Sequence, residues 1–203
     1  MGNRISSTVI IHSHVEIGQN VIIEDYCIIG VPFGGYNGEK TIIGDNSIIR
    51  SHTVIYAGNI IGNNFQTGNK ANIRELNSIG DNVSIGTLSV IEHHVQIDNN
   101  VRIHSQAFIP EYSTLKEGCW IGPNVVFTNA LYPNSKNAKE NLQGATVEEH
   151  AIIGANCTIL PGIRIKQRSL IGAGSVVTKD VSKRSVVVGN PARPINSIDE
   201  LPY

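Results

Sequence analysis

The chain has 203 residues, with 16 basic and 17 acidic side chains and a formal net charge of −1. That is enough for one domain with a sizeable core, and it offers no broad basic field for nucleic acid or an anionic membrane surface. No apolar run approaches the ~18 residues of a membrane span, and 31 Ile and 18 Val against 8 Leu argue against a helical bundle or coiled coil.

From the N-terminus, Ile5, Ile11, Ile17, Ile23 and Ile29 stand six residues apart. The register breaks across 30–42 and resumes at Ile43. It then runs to Phe127, with Thr67 as its one polar member. A second break across 128–146 is followed by a last run from Val147 to Val177, and the three runs together hold 26 hexads. Four residues after each aliphatic comes a small or uncharged residue. Three residues after it, Asn or Gly is frequent, and both tolerate the left-handed backbone of a sharp corner. A hexad is therefore a short strand with two inward residues followed by a corner. All three cysteines (Cys27, Cys119, Cys157) fill an inward position and read as small buried hydrophobes. Their odd number does not suggest a disulfide framework and fits a reducing cytoplasm.

No single hexad can bury its apolar side, so coils must stack. Three hexads per turn make an 18-residue triangular coil, and 26 hexads make about nine coils. The prism is expected over 1–185, interrupted by loops 30–42 and 128–146, with a C-terminal extension over 186–203.

Placing residue n over n + 18 sorts the outward side chains onto three faces. The first carries Val54, Asn72, Val90, Phe108 and Val126, the second Ile48, Gln66, Ser84, Arg102 and Trp120, and the third Ile60, Ser78, Gln96 and Thr114. The first is the most apolar and is expected to pack against another subunit. Both insertions fall at the corner that follows this face, where a binding site is expected. At that same corner His93, in Ile91-Glu-His-His94, lies between Glu75 one coil below and Glu111 one coil above. A carboxylate beside an imidazole fixes its tautomer and raises its basicity, as a general base requires. Arg74 and Glu92 stack in the same way and are expected to pair. His104 sits at the corner preceding the apolar face, where threefold packing would bring it towards a neighbour's loops; it is a second candidate, for substrate binding. His12, His14, His52 and His150 read as surface or corner residues.

The hexads resemble those of the hexapeptide-repeat proteins, and the resemblance covers nearly the whole chain. It implies an all-β fold, a left-handed parallel β-helix of about nine triangular coils, and a homotrimer formed through the face carrying Val54, Val90, Phe108 and Val126. Gly154-Ala-Asn-Cys-Thr-Ile-Leu-Pro-Gly162, Ile171-Gly-Ala-Gly-Ser-Val-Val-Thr-Lys-Asp-Val181 and Val188-Gly-Asn-Pro-Ala-Arg-Pro194 resemble the closing signature of the acyltransferases in that family. This implies acetyl-CoA as co-substrate, bound in the groove between neighbouring prisms, with no metal. The matching cofactor-binding positions here are Gly162, Ala173, Gly174, Lys179 and Arg193. Accessible backbone at Ala173 and Gly174 suits the pantetheine arm, and the basic residues suit the phosphates.

Ser89-Val-Ile-Glu-His93 is similar to a motif in the sialic-acid and bacillosamine branch of amino-sugar acetyltransferases, whose histidine at this position is the proposed base. The catalytic set implied is His93 with Glu75 and Glu111. Trp120-Ile-Gly-Pro-Asn-Val-Val-Phe-Thr-Asn129, followed by Tyr132-Pro133, resembles nucleotide-sugar N-acetyltransferases, some of which have no clear side-chain base. Asn129 and Tyr132 are then hydrogen-bonding groups for a sugar. The galactoside and maltose acetyltransferases place a histidine just before a loop proline. This chain has Tyr132 there, a departure that speaks against O-acetylation of that kind.

The expected activity is acetyl transfer from acetyl-CoA to the amine of a sugar, nucleotide-linked, for surface polysaccharide or glycan synthesis. Three other readings compete with it: an O-acetyltransferase acting on a sugar hydroxyl or small molecule, a non-catalytic β-helix scaffold, and a γ-type carbonic anhydrase. The last needs three histidines converging on zinc, and His93, His94 and His104 do not show its spacing.

Overall fold

The computed structural model describes residues 2–202. Its strands are mostly two residues long and lie on three parallel sheets. The first begins Arg4–Ile5, Ile22–Ile23, Ile48–Ile49 and continues through Trp120–Ile121 to Leu170–Ile171; we call it the Trp120 face. The second begins Ile10–Ile11, Ile28–Val31, Val54–Tyr56 and continues through Phe108–Ile109 to Val176–Val177; this is the Phe108 face. The third, the Thr114 face, runs from Val15–Ile17 to Arg164–Ile165. Register partners such as Asn72 with Val90, Val90 with Phe108 and Arg102 with Trp120 are eighteen residues apart, as the stacking rule requires. The chain is thus a parallel β-solenoid of triangular coils.

The inward aliphatics form a continuous core in which Ile29, Ile55, Ile91, Ile109 and Phe127 are fully buried. Thr67 keeps its place in that core because its hydroxyl is satisfied: Oγ1 accepts from Arg50 N–H at 2.9 Å and pairs with Thr53 Oγ1 at 3.2 Å. The cysteines are free and buried, and burial pushes all three thiols up. A thiol reagent such as DTNB is expected to leave the native protein unmodified and to titrate three thiols after unfolding.

The corners are left-handed, and not only at Asn and Gly. Tyr26, Lys70, Leu76, Leu88, His94 and Tyr112 also have φ between 56° and 65°. Such a residue costs roughly 1–2 kcal/mol in this conformation, so the corners are held by hydrogen bonds. A polar residue at the second inward position donates back to the carbonyl three residues earlier: Ser47 to Gly44, Asn59 to Tyr56, Asn77 to Arg74, Ser113 to Pro110, and Ser175 to Gly172. Between the Thr114 and Trp120 faces, Asp45, Asn63, Asp81 and Asn99 accept in succession from the backbone N–H of the coil below.

Both insertions leave the Phe108 face and return on the Thr114 face. One follows Ile28–Val31 and rejoins at Thr41–Ile43; the other follows Val126–Phe127 and rejoins at Thr146–Val147. At the far end, Ser185–Val188 pairs in parallel with Leu170–Ile171, so the last rung of the Trp120 face runs past residue 185. Arg193–Ser197 then folds back antiparallel on it.

Candidate active site

The edge between the Phe108 and Thr114 faces collects a column of ionisable residues between the two loops. Arg74 and Glu75 occupy one coil, Glu92, His93 and His94 the next, Glu111 and Tyr112 the next, and Asn129 the coil that opens into loop 128–146. Arg74 holds Glu75 in a two-pronged ion pair, with Nε to Oε2 at 2.9 Å and Nη2 to Oε1 at 3.1 Å. Its Nη1 also lies 3.6 Å from Glu92 Oε2, and its guanidinium sits 4.8 Å over the Tyr56 ring.

His93 Nε2 faces Glu111 Oε1 at 3.8 Å, and the other oxygen of Glu111 accepts from Asn129 Nδ2 at 2.7 Å. Glu111 is therefore anchored on one side and open towards the imidazole on the other. Glu75 is below His93 in the stack, and its carbonyl accepts from His94 N–H at 3.3 Å. Its carboxylate, however, is turned to Arg74. The group on the second nitrogen of His93 is instead His94, with Nδ1 to Nδ1 at 2.8 Å. The stacking rule does not reveal this partner, because it assigns columns and His94 is in the same coil. The doublet His93-His94 was the available signal. Tyr112 packs against both imidazoles, at 5.8 and 5.7 Å between centroids.

Burial pushes the Glu92 carboxyl up. Arg74 opposes this, and Glu111 adds to it. A carboxyl that binds its proton more tightly when folded contributes fully to stability below the unfolded carboxylate range and loses that contribution as pH rises through its folded value. Glu92→Gln is accordingly expected to raise the melting temperature more at pH 7 than at pH 4, a difference readable by differential scanning fluorimetry.

The other sequence candidates are dispersed. Gly162 and Lys179 lie further along the same edge as His93, while Ala173 and Gly174 lie on the edge between the Trp120 and Phe108 faces. His104 is on that second edge too. Its ring leans on Trp120 at 4.4 Å, and Nε2 is buried with no partner among the described residues. Burial, aided by Arg102, pushes its imidazole down. Tyr132 is 72% exposed in the loop.

Two concavities touch the expected cofactor positions. A largely apolar groove of about 600 Å³ on the Trp120 face is lined by Trp120, Ile152, Leu170, Gly172 and Ala173. A smaller pocket of about 280 Å³ is lined by Lys179, Ser182, Ala192 and Arg193. Gly174, at φ 73°, has nothing within 4 Å of where a Cβ would stand, so its backbone is open to a ligand. The groove is mostly apolar, and the pocket sets Lys179 and Arg193 beside Asp180. No group of three or more His, Cys, Asp or Glu side chains arranged to hold a metal ion occurs among the described residues. Nor is any helix among them long and apolar enough to cross a membrane.

Residues 78–111 and 144–179 match the family described as bacterial transferase hexapeptide (six repeats). In these two segments, about a third of the chain, the sequence carries the repeats of that family. It is 39% identical over 89 residues to a galactoside O-acetyltransferase from Lactococcus lactis, an overlap covering 40% of this chain and 43% of that protein. Over 80 residues it is 40% identical to a 2,3,4,5-tetrahydropyridine-2,6-dicarboxylate N-acetyltransferase from Clostridium perfringens, covering 39% of this chain and 31% of that one. The chain thus spans less than half the length of these curated relatives. In fold it is similar to a UDP-N-acetylglucosamine acyltransferase from Bacteroides fragilis, with TM-score 0.63 and 20% identity, covering 95% of this chain and 74% of that one.

Proposed function

We propose that the protein is an acetyl-CoA-dependent acetyltransferase that N-acetylates an amino sugar, nucleotide-linked, in the cytoplasm. The observation that carries the reading is the open pair of His93 Nε2 and Glu111 Oε1, 3.8 Å apart on the loop-bearing edge. An amine seated on the open side of the pair and bridging both can donate one N–H to the Nε2 lone pair and the other to the carboxylate. Glu92 and Glu111 flank the position, with Arg74 as counter-charge to Glu92 and to Glu75 behind it. This field draws a cationic amine to the site in preference to a hydroxyl acceptor, and so favours N- over O-acetylation; the amine gives up one proton to solvent before it attacks.

In the reaction the amine nitrogen bonds to the thioester carbonyl carbon and the carbon–sulfur bond breaks. The proton lost by the amine passes to His93 Nε2 and leaves with the CoA thiol. Glu111 stabilises the imidazolium formed in between. Asn129 holds Glu111, and with Tyr132 it offers hydrogen bonds to the sugar. Glu75 acts through Arg74, fixing the guanidinium beneath Glu92. In a trimer packed on the Phe108 face, the edge carrying Ala173, Gly174 and His104 in one protomer adjoins the His93 edge of the next. That arrangement unites cofactor positions a single prism keeps apart.

A thiol-release assay with acetyl-CoA and a panel of UDP- and GDP-linked amino sugars tests the activity. Turnover of an amine is expected, and turnover of hydroxyl acceptors alone would redirect the reading to O-acetylation. If millimolar acetyl-CoA neither turns over nor shifts the melting temperature, the scaffold reading gains. Light scattering is expected to give three times the 22.0 kDa chain mass. Val90→Asp, which puts a charge into the apolar face, is expected to shift the protein to monomers with at least a tenfold loss of activity.

A further inference from the structure

Nδ1 of His93 and Nδ1 of His94 are 2.8 Å apart, with the rings nearly perpendicular at 84°. Between two neutral imidazoles such a contact needs one nitrogen to donate and the other to accept. The choice decides what His93 can do. When His93 donates, its Nε2 carries a lone pair facing the Glu111 side of the site. When His94 donates, His93 Nε2 bears the hydrogen, both His93 nitrogens are committed, and it has no lone pair for an incoming amine.

We propose that His94 is the positioning residue of this site: its Nδ1 accepts from His93 Nδ1–H and so holds the base in the competent tautomer. The proposal rests on the reading of His93 as the base. The local fold supports it in three ways. His94 is fixed at the corner by φ 56° and by its N–H donating to Glu75 O at 3.3 Å. Tyr112 closes over both rings from the next coil. The Glu75 carboxylate, which would otherwise be the orienting group, is occupied by Arg74.

Two substitutions at position 94 keep the left-handed corner, since Gly and Asn are the residues that adopt it most readily. His94→Gly removes the acceptor, while His94→Asn replaces it with an amide oxygen at similar reach. With acetyl-CoA and the amino-sugar nucleotide turned over fastest by the wild type, His94→Gly is expected to lower kcat roughly 10- to 100-fold with KM for acetyl-CoA within about twofold. His94→Asn is expected to recover to within about threefold of wild type. Nitrogen-15 spectra of histidine-labelled protein, assigned by loss of the His93 signals in His93→Gln, read the tautomer without any acceptor. They should show Nδ1–H on His93 in wild type and His94→Asn, and a shift towards Nε2–H in His94→Gly.

A His94→Gly enzyme with wild-type kcat beside an impaired His93→Gln would overturn the role of His94 alone. A His94→Asn enzyme no better than His94→Gly would do the same, as would an unchanged His93 tautomer in His94→Gly. Wild-type kcat in His93→Gln would instead remove the base, and this inference with it.

Discussion

His93→Gln is expected to lower kcat for amine acetylation by about 100-fold, the low end of what a positioned general base supplies. The melting temperature should hardly move. The substitution keeps a polar side chain of similar reach at a corner position whose ring is only partly buried, and the core residue beside it, Ile91, is untouched. KM for acetyl-CoA should stay near the wild-type value, because the groove on the Trp120 face and the pocket at Lys179 and Arg193 are lined by residues of other coils. A fall in kcat without a rise in KM marks an interaction made in the transition state. A rise in KM alone would mean that His93 binds substrate and does not take its proton.

The largest stability effect outside the aliphatic core is expected at Asn77. Its side chain is 2% exposed and bridges two coils of the edge that carries the site. Nδ2 donates to Arg74 O at 2.8 Å, and Oδ1 accepts from Val95 N–H at 2.7 Å. Asn59, one coil below, accepts from Asn77 N–H and also donates to Arg74 O. Asn77→Ala therefore leaves the Val95 N–H without an acceptor while Arg74 O keeps one donor. One orphaned donor, one lost bond and a small cavity come to about 3 kcal/mol, or roughly 6–12 °C in melting temperature for a chain of this size. Asn77→Ser restores the bond to Arg74 O, as Ser113 does for Pro110, but it cannot reach Val95, so about half the loss should remain. Equal losses for Ala and Ser would show that the bond to Arg74 contributes nothing.

Much of the fold was legible in the residues because each hexad repeats one physical problem. An aliphatic at every sixth position specifies coils, and the 18-residue offset then fixes which side chains share a face, as the pairing of Asn72 with Val90 and Phe108 shows. Thr67 looked like an interruption because its hydroxyl partner, Thr53, lies on the neighbouring inward position and cannot be read from spacing. Asn and Gly, with His52 and His150, were the corner residues the sequence pointed to, and other types share the conformation. Leu76 and Leu88 adopt the same backbone because hydrogen bonds elsewhere in the corner offset their strain.

For the candidate site, the column of Glu75, His93 and Glu111 followed from the offset, as did the proximity of Arg74 and Glu92. Side-chain direction did not. Whether Glu75 turns to His93 or to its own neighbour Arg74 depends on rotamers, which no repeat encodes. The same holds for His94, whose ring turns along its coil to meet His93. His104 and His93 stand on opposite edges of the Phe108 face, so only the packing of one prism against another would bring them near each other.

Acetyl transfer on the loop-bearing edge, at His93, is tested by a crystal structure of the protein with acetyl-CoA. The thioester carbonyl carbon is expected within about 6 Å of His93 Nε2, the reach of one near-attack contact plus one hydrogen bond, with the pantetheine arm passing Ala173 and Gly174 of a neighbouring protomer. A thioester placed beside the His104–Trp120 pair, or anywhere with His93 and Glu111 beyond that reach, would contradict it.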